Sequence, residues 1–183
     1  MLEEVVLVVR AAEGDPRAFE QLVRRHQQAM YTVALRILNH PDDAEDATQN
    51  AFVAVWRRLP EFRRQAKFST WLYRIVTNHA LNVLRSRSRT GTQTDLAALL
   101  GSAEPVTSQP GPAQHAESSA LLRDLRTALA GLPDELRVCW LLREVENKSY
   151  EEVAAIAGVS LDTARGRIYR ARHRLAEAMA AWR

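Results

Sequence analysis

The chain has 183 residues, of which 46% are hydrophobic, enough for one ordinary domain or two small ones. Its 25 lysines and arginines exceed its 22 aspartates and glutamates, and the resulting net charge of +3 suits a polyanionic partner. The single cysteine, Cys139, excludes an intramolecular disulfide; we find no zinc-ligand spacing, no signal peptide and no apolar run long enough to cross a membrane. We therefore expect a cytoplasmic protein with no metal, no other cofactor and no insertion into a membrane.

The first half of the chain has helical periodicity. Asp15 followed by Pro16 predicts the start of a helix, because an N-cap carboxylate and a proline in the first turn both favour initiation. This helix is expected to end at the break over 39–42, and two more are predicted over about 42–59 and 69–87. No alternating strand pattern of useful length is present, so the fold class is all-α.

Acidic residues gather at the start of the second predicted helix, at Asp42, Asp43, Glu45 and Asp46. Carboxylates in a first turn are stabilised by the helix dipole, which by itself explains the cluster. The same residues could form a protein-binding face that repels DNA. The residues leave both interpretations open.

The third predicted helix carries a polar stripe formed by Arg74, Asn78, Asn82 and Arg85. Steps of four, four and three residues place these side chains on one face. Asparagines can read base edges while arginines hold phosphates, so we interpret the stripe as a nucleic-acid surface.

Aromatic and cationic residues alternate just before that helix. Such mixtures bind single-stranded nucleic acid, because bases stack on the rings while the backbone follows the charge. Phe62 and Trp71 are individually expected in the core, whereas Phe68 is assigned to the nucleic-acid surface.

Glycine and proline are frequent over 90–116, which predicts a flexible linker. Helices are expected to resume over 121–132 and 133–145. The chain is thus predicted to form two small helical domains joined by a tether.

The last third of the chain has the layout of a helix-turn-helix. Ser149 and Glu152 have capping-box spacing, Gly158 can take the left-handed conformation that ends a helix, and Ser160 is a good N-cap for the next one. Along that last helix an outward stripe and its flanks are basic or aromatic, comprising Arg165, Arg167, Tyr169, Arg170, Arg172, His173 and Arg174. A second helix of this kind enters the DNA major groove. Gly166 is unusual inside a helix, and we interpret it as allowing close approach to DNA.

Several segments, in this order and spacing, resemble the bacterial sigma factors of the extracytoplasmic-function (ECF) group. They are Asp15-Pro-Arg-Ala-Phe-Glu-Gln-Leu-Val, Asp43-Ala-Glu-Asp-Ala-Thr-Gln-Asn-Ala-Phe, Phe68-Ser-Thr-Trp-Leu-Tyr-Arg-Ile-Val-Thr-Asn, Leu132-Pro-Asp-Glu-Leu-Arg, the run from Leu142 to Val153, and the final helix. The resemblance implies sigma region 2 over 1–89, a linker over 90–116 and sigma region 4 over 117–183. It implies a transcription initiation factor, not an enzyme, that directs core RNA polymerase to promoters with −35 and −10 elements and assists melting. A dedicated anti-sigma factor is the further partner that it implies.

The resemblance also implies roles for individual residues. The −10 surface would comprise Phe68, Arg74, Asn78, Asn82 and Arg85, with Asn78 at the position that captures a flipped base. The −35 surface would comprise Ser160, Thr163, Arg165, Gly166, Arg167, Tyr169, Arg170 and His173. The surface that docks on the clamp coiled coil of the largest polymerase subunit would comprise Asp43, Glu45, Asp46, Gln49, Asn50 and Phe52.

The sequence departs from the family at three of its positions. Asn50 stands where glutamate is usual, while Ala164 and Gly166 replace the commoner valine and serine of the recognition helix. A stand-alone helix-turn-helix regulator is the alternative, but it would usually dimerise, and no dimerisation helix is evident. An enzyme acting on nucleic acid is a weaker alternative, since no nucleophile or metal-binding constellation is present.

Overall fold

The computed structural model of the chain describes residues 2–63, 66–90, 121, 123–125 and 127–180. Among these residues the regular structure is entirely helical. The helices are α1 (Leu2–Ala12), α2 (Pro16–Leu38), α3 (Pro41–Arg58), α4 (Phe68–Thr90), α5 (Asp134–Trp140), α6 (Tyr150–Ala157) and α7 (Leu161–Ala178). The predicted linker lies outside the described residues, apart from Thr90 at the end of α4.

The predicted start of α2 is confirmed. The carboxylate of Asp15 accepts hydrogen bonds from the backbone N–H groups of Arg17 at 2.9 Å and Ala18 at 3.2 Å, with Pro16 in the first turn. Asn39 ends the helix in the left-handed conformation, at φ 51°, and donates its N–H to the carbonyl of Leu35. Both ends of α2 are therefore satisfied by local residues, as the sequence predicts.

Helix α1 is absent from the sequence prediction, which begins at Asp15. It buries Leu7, Val8 and Ala11 as part of the core and packs against α2. Two pairs between side chains reinforce the contact, Arg25 with Glu3 at 2.6 Å and His26 with Glu4 at 2.7 Å. Acidic residues in its first turn and Arg10 in its last turn are signals that could have identified this helix.

Helices α1 to α4 form the first domain, with α2 packed against α1, α3 and α4. A short 3-10 turn, Leu59–Glu61, ends α3 and buries Leu59 completely. Leu22, Leu72 and Val76 are buried at the centre of the domain. The face of α4 opposite this core is the one that carries the predicted polar stripe.

Helices α5 to α7 form the second domain, preceded by helical residues at 127–130. The segment Leu141–Val145, predicted as a continuation of the preceding α-helix, is instead a π-helical turn. Helix α5 packs against α7 around a small apolar cluster formed by Leu132, Leu136, Ala171 and Leu175. This packing fixes which face of α7 points outward.

The two domains contact each other through α4 and α6. Buried residues of both belong to one continuous core, in which Val153 and Ile156 of α6 are fully covered. The sequence predicts two domains on a tether, and the structure adds a shared interface that no local pattern indicates.

Candidate nucleic-acid interface

Local hydrogen bonds fix the helix-turn-helix as the sequence predicts. The hydroxyl of Ser149 accepts the N–H of Glu152 at 3.1 Å, and the Glu152 carboxylate accepts the N–H of Ser149 at 2.9 Å, completing the capping box. Gly158 is left-handed at φ 67° and ends α6. Ser160 caps α7 by accepting the N–H of Thr163 at 3.2 Å, and the two hydroxyls lie 2.8 Å apart. Ser160 and Thr163 therefore orient the start of α7 as well as lying on the predicted −35 surface.

Most of the predicted −35 surface is exposed on α7. Tyr169 is 69% exposed, which is unusual for so large an aromatic side chain, and its ring centroid lies 6.4 Å from that of His173. Arg165 and Arg170 are also exposed. A β-carbon added at Gly166 would meet no atom within 4 Å, so internal packing does not explain the glycine. These residues form an exposed basic and aromatic face.

Two arginines of α7 are instead paired with carboxylates that precede the helix-turn-helix. Arg167 contacts Glu135 at 2.5 Å and has a side chain only 18% exposed, so its contact with DNA stays a prediction that this geometry does not favour. Arg172 donates from Nε at 3.1 Å and Nη2 at 2.6 Å to the same oxygen of Glu144. Those hydrogen bonds to Glu144 raise the pKa of the Arg172 guanidinium above its ordinary value.

The predicted −10 stripe is exposed along α4. Arg74, Asn78, Asn82 and Arg85 all face solvent in the described structure. Phe68 does not: it is 7% exposed, and it contacts His26 and the other two aromatic residues of this segment. Its ring belongs to the core, so a role of Phe68 on the −10 surface stays a prediction that this burial does not favour.

Phe62 and Trp71, both expected in the core, are partly buried and stack with ring centroids 4.7 Å apart. They line a pocket of about 270 Å³ with Arg58, Arg63 and Arg74. The aromatic and cationic residues that alternate in the sequence before α4 therefore lie together around one pocket.

The predicted polymerase-docking residues divide between solvent and the interior. Glu45, Asp46, Gln49 and Asn50 are exposed on α3. Asp43 forms an ion pair with Arg87 of α4, so its charge is partly compensated within the domain, and its role in docking stays a prediction.

An exposed apolar patch that the sequence did not predict lies next to the predicted docking residues of α3. Val53 is 49% exposed and Trp56 37% exposed, and together with Phe52, Phe19 and Pro16 they line a shallow pocket. Phe52 itself is only 8% exposed, so it contributes an edge. Val53 and Trp56 lie four and seven residues after Gln49, and this spacing could have identified them.

Polar residues join the two domains at one point. Glu146 forms an ion pair with Arg36 of α2 and accepts the hydroxyl of Tyr73 at 3.0 Å. The ammonium of Lys148 lies 4.0 Å from the centroid of the Tyr73 ring. Burial, followed by the nearby charge of Glu146, raises the pKa of the Tyr73 phenol above its ordinary value.

Comparison with known proteins matches this arrangement. The family description Sigma-70 region 2 matches residues 22–90, and Sigma-70, region 4 matches residues 122–175. The ECF RNA polymerase sigma-E factor of Escherichia coli is 36% identical, with the match covering 93% of this chain and 91% of that one. The chain belongs to the ECF sigma factors of the sigma-70 family. The resemblance identified from the sequence and the all-α fold with two sigma regions are therefore confirmed.

Two other relatives support the same membership. The RNA polymerase sigma-H factor of Pseudomonas aeruginosa is 35% identical, over 94% of this sigma factor and 92% of the relative. The ECF RNA polymerase sigma factor SigE of Mycolicibacterium smegmatis is 38% identical over 92% of this chain, which spans 65% of that relative.

Two solved structures share the fold. CnrH in complex with the cytosolic domain of CnrY matches with a TM-score of 0.70 and 28% identity, covering 98% of each chain. The sigma factor RpoE in complex with the anti-sigma factor NepR from Bartonella quintana matches with a TM-score of 0.65 and 28% identity, over 90% of this sigma factor and 98% of that chain. Among the described residues of this sigma factor, no helix is both long and apolar enough to span a membrane.

Proposed function

We propose that this sigma factor binds core RNA polymerase in the cytoplasm and directs it to promoters, with α7 reading the −35 element and α4 the −10 element. One observation carries the proposal: two separate helices of one chain each present an exposed stripe of cationic and hydrogen-bonding side chains, and each is oriented by a buried opposite face. A single stripe would suit an operator-binding regulator equally well. Two stripes suit a factor that reads two promoter elements.

At the −35 element, α7 supplies both classes of DNA contact. Arg165 lies in the second turn, where the N-terminal half of a recognition helix meets base edges. Arg170 lies further along, where cations contact phosphates and fix the register, and His173 follows one turn later. The exposed Tyr169 adds an amphipathic ring between them.

At the −10 element, α4 acts on opened DNA. Unstacking a base costs a few kcal/mol, and a site that binds the flipped base offsets this cost. Asn78 can hydrogen-bond a base edge, while Arg74 and Arg85 at the two ends of the stripe hold the backbone. The stacked Phe62 and Trp71 beside Arg74 offer an aromatic surface for an unpaired base.

Docking on the clamp coiled coil of the polymerase is assigned to the exposed face of α3. Its first turns present Glu45, Asp46 and Gln49, and its last turns present Val53 and Trp56. An apolar centre beside a charged rim is the usual anatomy of a specific protein interface. Polymerase fixes the distance between the two domains, which makes the second DNA contact effectively intramolecular.

The contact between the domains makes control by an anti-sigma factor physically reasonable. A β-carbon built on Gly158, just before α7, would lie 3.6 Å from Nη2 of Arg74, so the two DNA surfaces adjoin. Positions −35 and −10 are about 25 base pairs apart, which is roughly 85 Å at 3.4 Å per base pair. The domains must therefore separate before both elements are bound. The structure of RpoE, which has a similar fold, was solved in complex with an anti-sigma factor. We propose that such a partner keeps the two domains of this chain in contact, so that they cannot separate.

The experiment combines the purified chain, sigma-free core polymerase and fragmented genomic DNA, and sequences the transcript starts. Starts that share two spaced upstream motifs are the expected result. Stable operator binding by the chain alone, without initiation, would indicate a helix-turn-helix regulator instead.

Docking through α3 has its own test. Val53→Asp should lower affinity for core polymerase, whereas Val6→Asp, an equally exposed valine of α1 outside the proposed surface, should not. Equal affinities of the two variants would contradict the assignment of this face.

A further inference from the structure

Helix α7 contains five arginines within ten residues, but they are not equivalent. Arg165, Arg170 and Arg174 are exposed, and none of them has a carboxylate closer than 3.8 Å among the described residues. Arg167 and Arg172 each contact a carboxylate from the segment that precedes α6. The helix therefore presents less free positive charge than its sequence suggests.

Arg172 is held at the surface, not in the interior. Its side chain is 49% exposed, and it donates two hydrogen bonds to one oxygen of Glu144, whose own side chain is 32% exposed. Exposed ion pairs of this kind contribute little to the stability of a fold. Removing the carboxylate would thus release the solvent-facing guanidinium from its anionic partner without dismantling the core.

The position of Arg172 favours a phosphate as its alternative partner. It is the twelfth residue of α7, roughly 16 Å beyond the start of the helix at 1.5 Å per residue. Base edges are read by the N-terminal residues of a recognition helix, while later residues approach the DNA backbone. A phosphate and the Glu144 carboxylate are both anions that offer oxygen acceptors, so they compete for the same guanidinium.

We infer that Glu144 holds Arg172 away from DNA phosphates and so limits the sequence-independent DNA affinity of the helix-turn-helix. This inference rests on the proposed role of α7 in DNA binding. A sigma factor that must leave bulk DNA to find promoters gains from such a limit, because phosphate contacts raise affinity for every sequence alike.

The second pair has a different role and serves as a comparison. Arg167 is mostly buried and contacts Glu135 of α5, so it joins α7 to α5 inside the domain. Loss of Glu135 would leave a buried guanidinium without its partner, which destabilises the fold. Of these two arginines, Arg172 is the one exposed enough to exchange its carboxylate for a phosphate.

The test is a double-mutant cycle of Glu144→Gln and Arg172→Gln in the full chain, read out by the binding of a random-sequence DNA duplex from 50 to 200 mM salt. One additional phosphate contact steepens the plot of log affinity against log salt by about 0.9. Glu144→Gln should show this change, so its gain over the wild type should be roughly 3.5-fold larger at 50 mM than at 200 mM salt. Arg172→Gln should keep the wild-type slope, and the double variant should match it.

Three results would overturn the inference. The first is a plot of log affinity against log salt whose slope is unchanged in Glu144→Gln, and the second is a slope that is reduced in Arg172→Gln. The third is an equal gain in DNA affinity from Glu144→Gln in the wild-type chain and in the Arg172→Gln chain. Because the freed contact is with the backbone, holoenzyme carrying Glu144→Gln should keep the wild-type ranking of −35 sequences. A wild-type chain with no salt-dependent affinity for the duplex would instead contradict DNA binding by α7 itself.

Discussion

Breaking the contact between Tyr73 and Glu146 should weaken the association of the two domains. The Tyr73 hydroxyl donates at 3.0 Å to a carboxylate that is only 14% exposed, in a residue 73 positions later in the sequence. A hydrogen bond to a charged group contributes about 1.5–3 kcal/mol. We expect Tyr73→Phe to cost about 1–2 kcal/mol, since Glu146 keeps its ion pair with Arg36.

Glu146→Ala should cost more than Tyr73→Phe, because it removes the acceptor of the Tyr73 hydrogen bond and also the ion pair with Arg36. Arg36 is 42% exposed, so solvent screening limits that pair to under about 1 kcal/mol. Because the two substitutions break the same hydrogen bond, the double variant should be less destabilised than the sum, by about 1 kcal/mol. Tyr31→Phe, a half-buried tyrosine of α2 outside this contact, is the matched control.

The assay is urea unfolding of the four members of the cycle, followed by circular dichroism, with the radius of gyration measured by X-ray scattering. The wild type should be the most compact of the four. Strictly additive costs, with equal radii of gyration, would refute the contact between the domains in solution.

Alkaline pH offers an independent measure of the same contact. The pKa of Tyr73 is raised in the folded chain, so the unfolded state loses this proton first as pH passes about 10. The contribution of Tyr73 to stability is therefore complete below pH 10 and declines above it. The stability difference between the wild type and Tyr73→Phe should shrink as pH rises, and a constant difference would contradict the raised pKa.

Three other substitutions or reactions test the remaining assignments. Asn78→Ala should impair promoter opening but change the free energy of unfolding by less than about 0.5 kcal/mol, because the side chain is exposed. Gln21→Ala, at another exposed position, is the control. An equal loss of polymerase binding by Asn78→Ala would indicate a fold defect instead. Gly166→Ala should stabilise α7 by about 0.5–1 kcal/mol, since the new methyl group meets no atom. It should also weaken binding to the −35 element if the backbone of α7 approaches DNA at this residue. Unchanged binding would show that close approach to DNA does not explain the glycine. Cys139 is fully buried and burial raises the pKa of its thiol, so a thiol reagent should modify it only after unfolding, and rapid modification of the native chain would contradict the packing of α5.

Features that depend on neighbouring residues were determined by the sequence alone. The caps at Asp15, Ser149 and Ser160 and the left-handed Gly158 all follow from bonds within a few residues, and each is confirmed. The polar stripe of α4 follows from helical periodicity in the same way. Motif order and spacing then sufficed to identify the family.

Features that depend on residues distant in sequence were decided only by the tertiary structure. Phe68 fits an aromatic nucleic-acid motif locally, but packing against α2 buries it. From the sequence alone, Asp43 and Arg172 are expected to be unpaired surface charges. In the fold they form ion pairs with Arg87 and Glu144, which come from other segments. The contact between the domains pairs Arg36 with Glu146, which lie 110 positions apart in the sequence. Helical periodicity cannot predict a contact over such a sequence separation. Hydrogen bonds between residues near in sequence can be predicted from the sequence. The ion-pair partner of a charged side chain and the burial of an aromatic ring depend instead on how the helices pack.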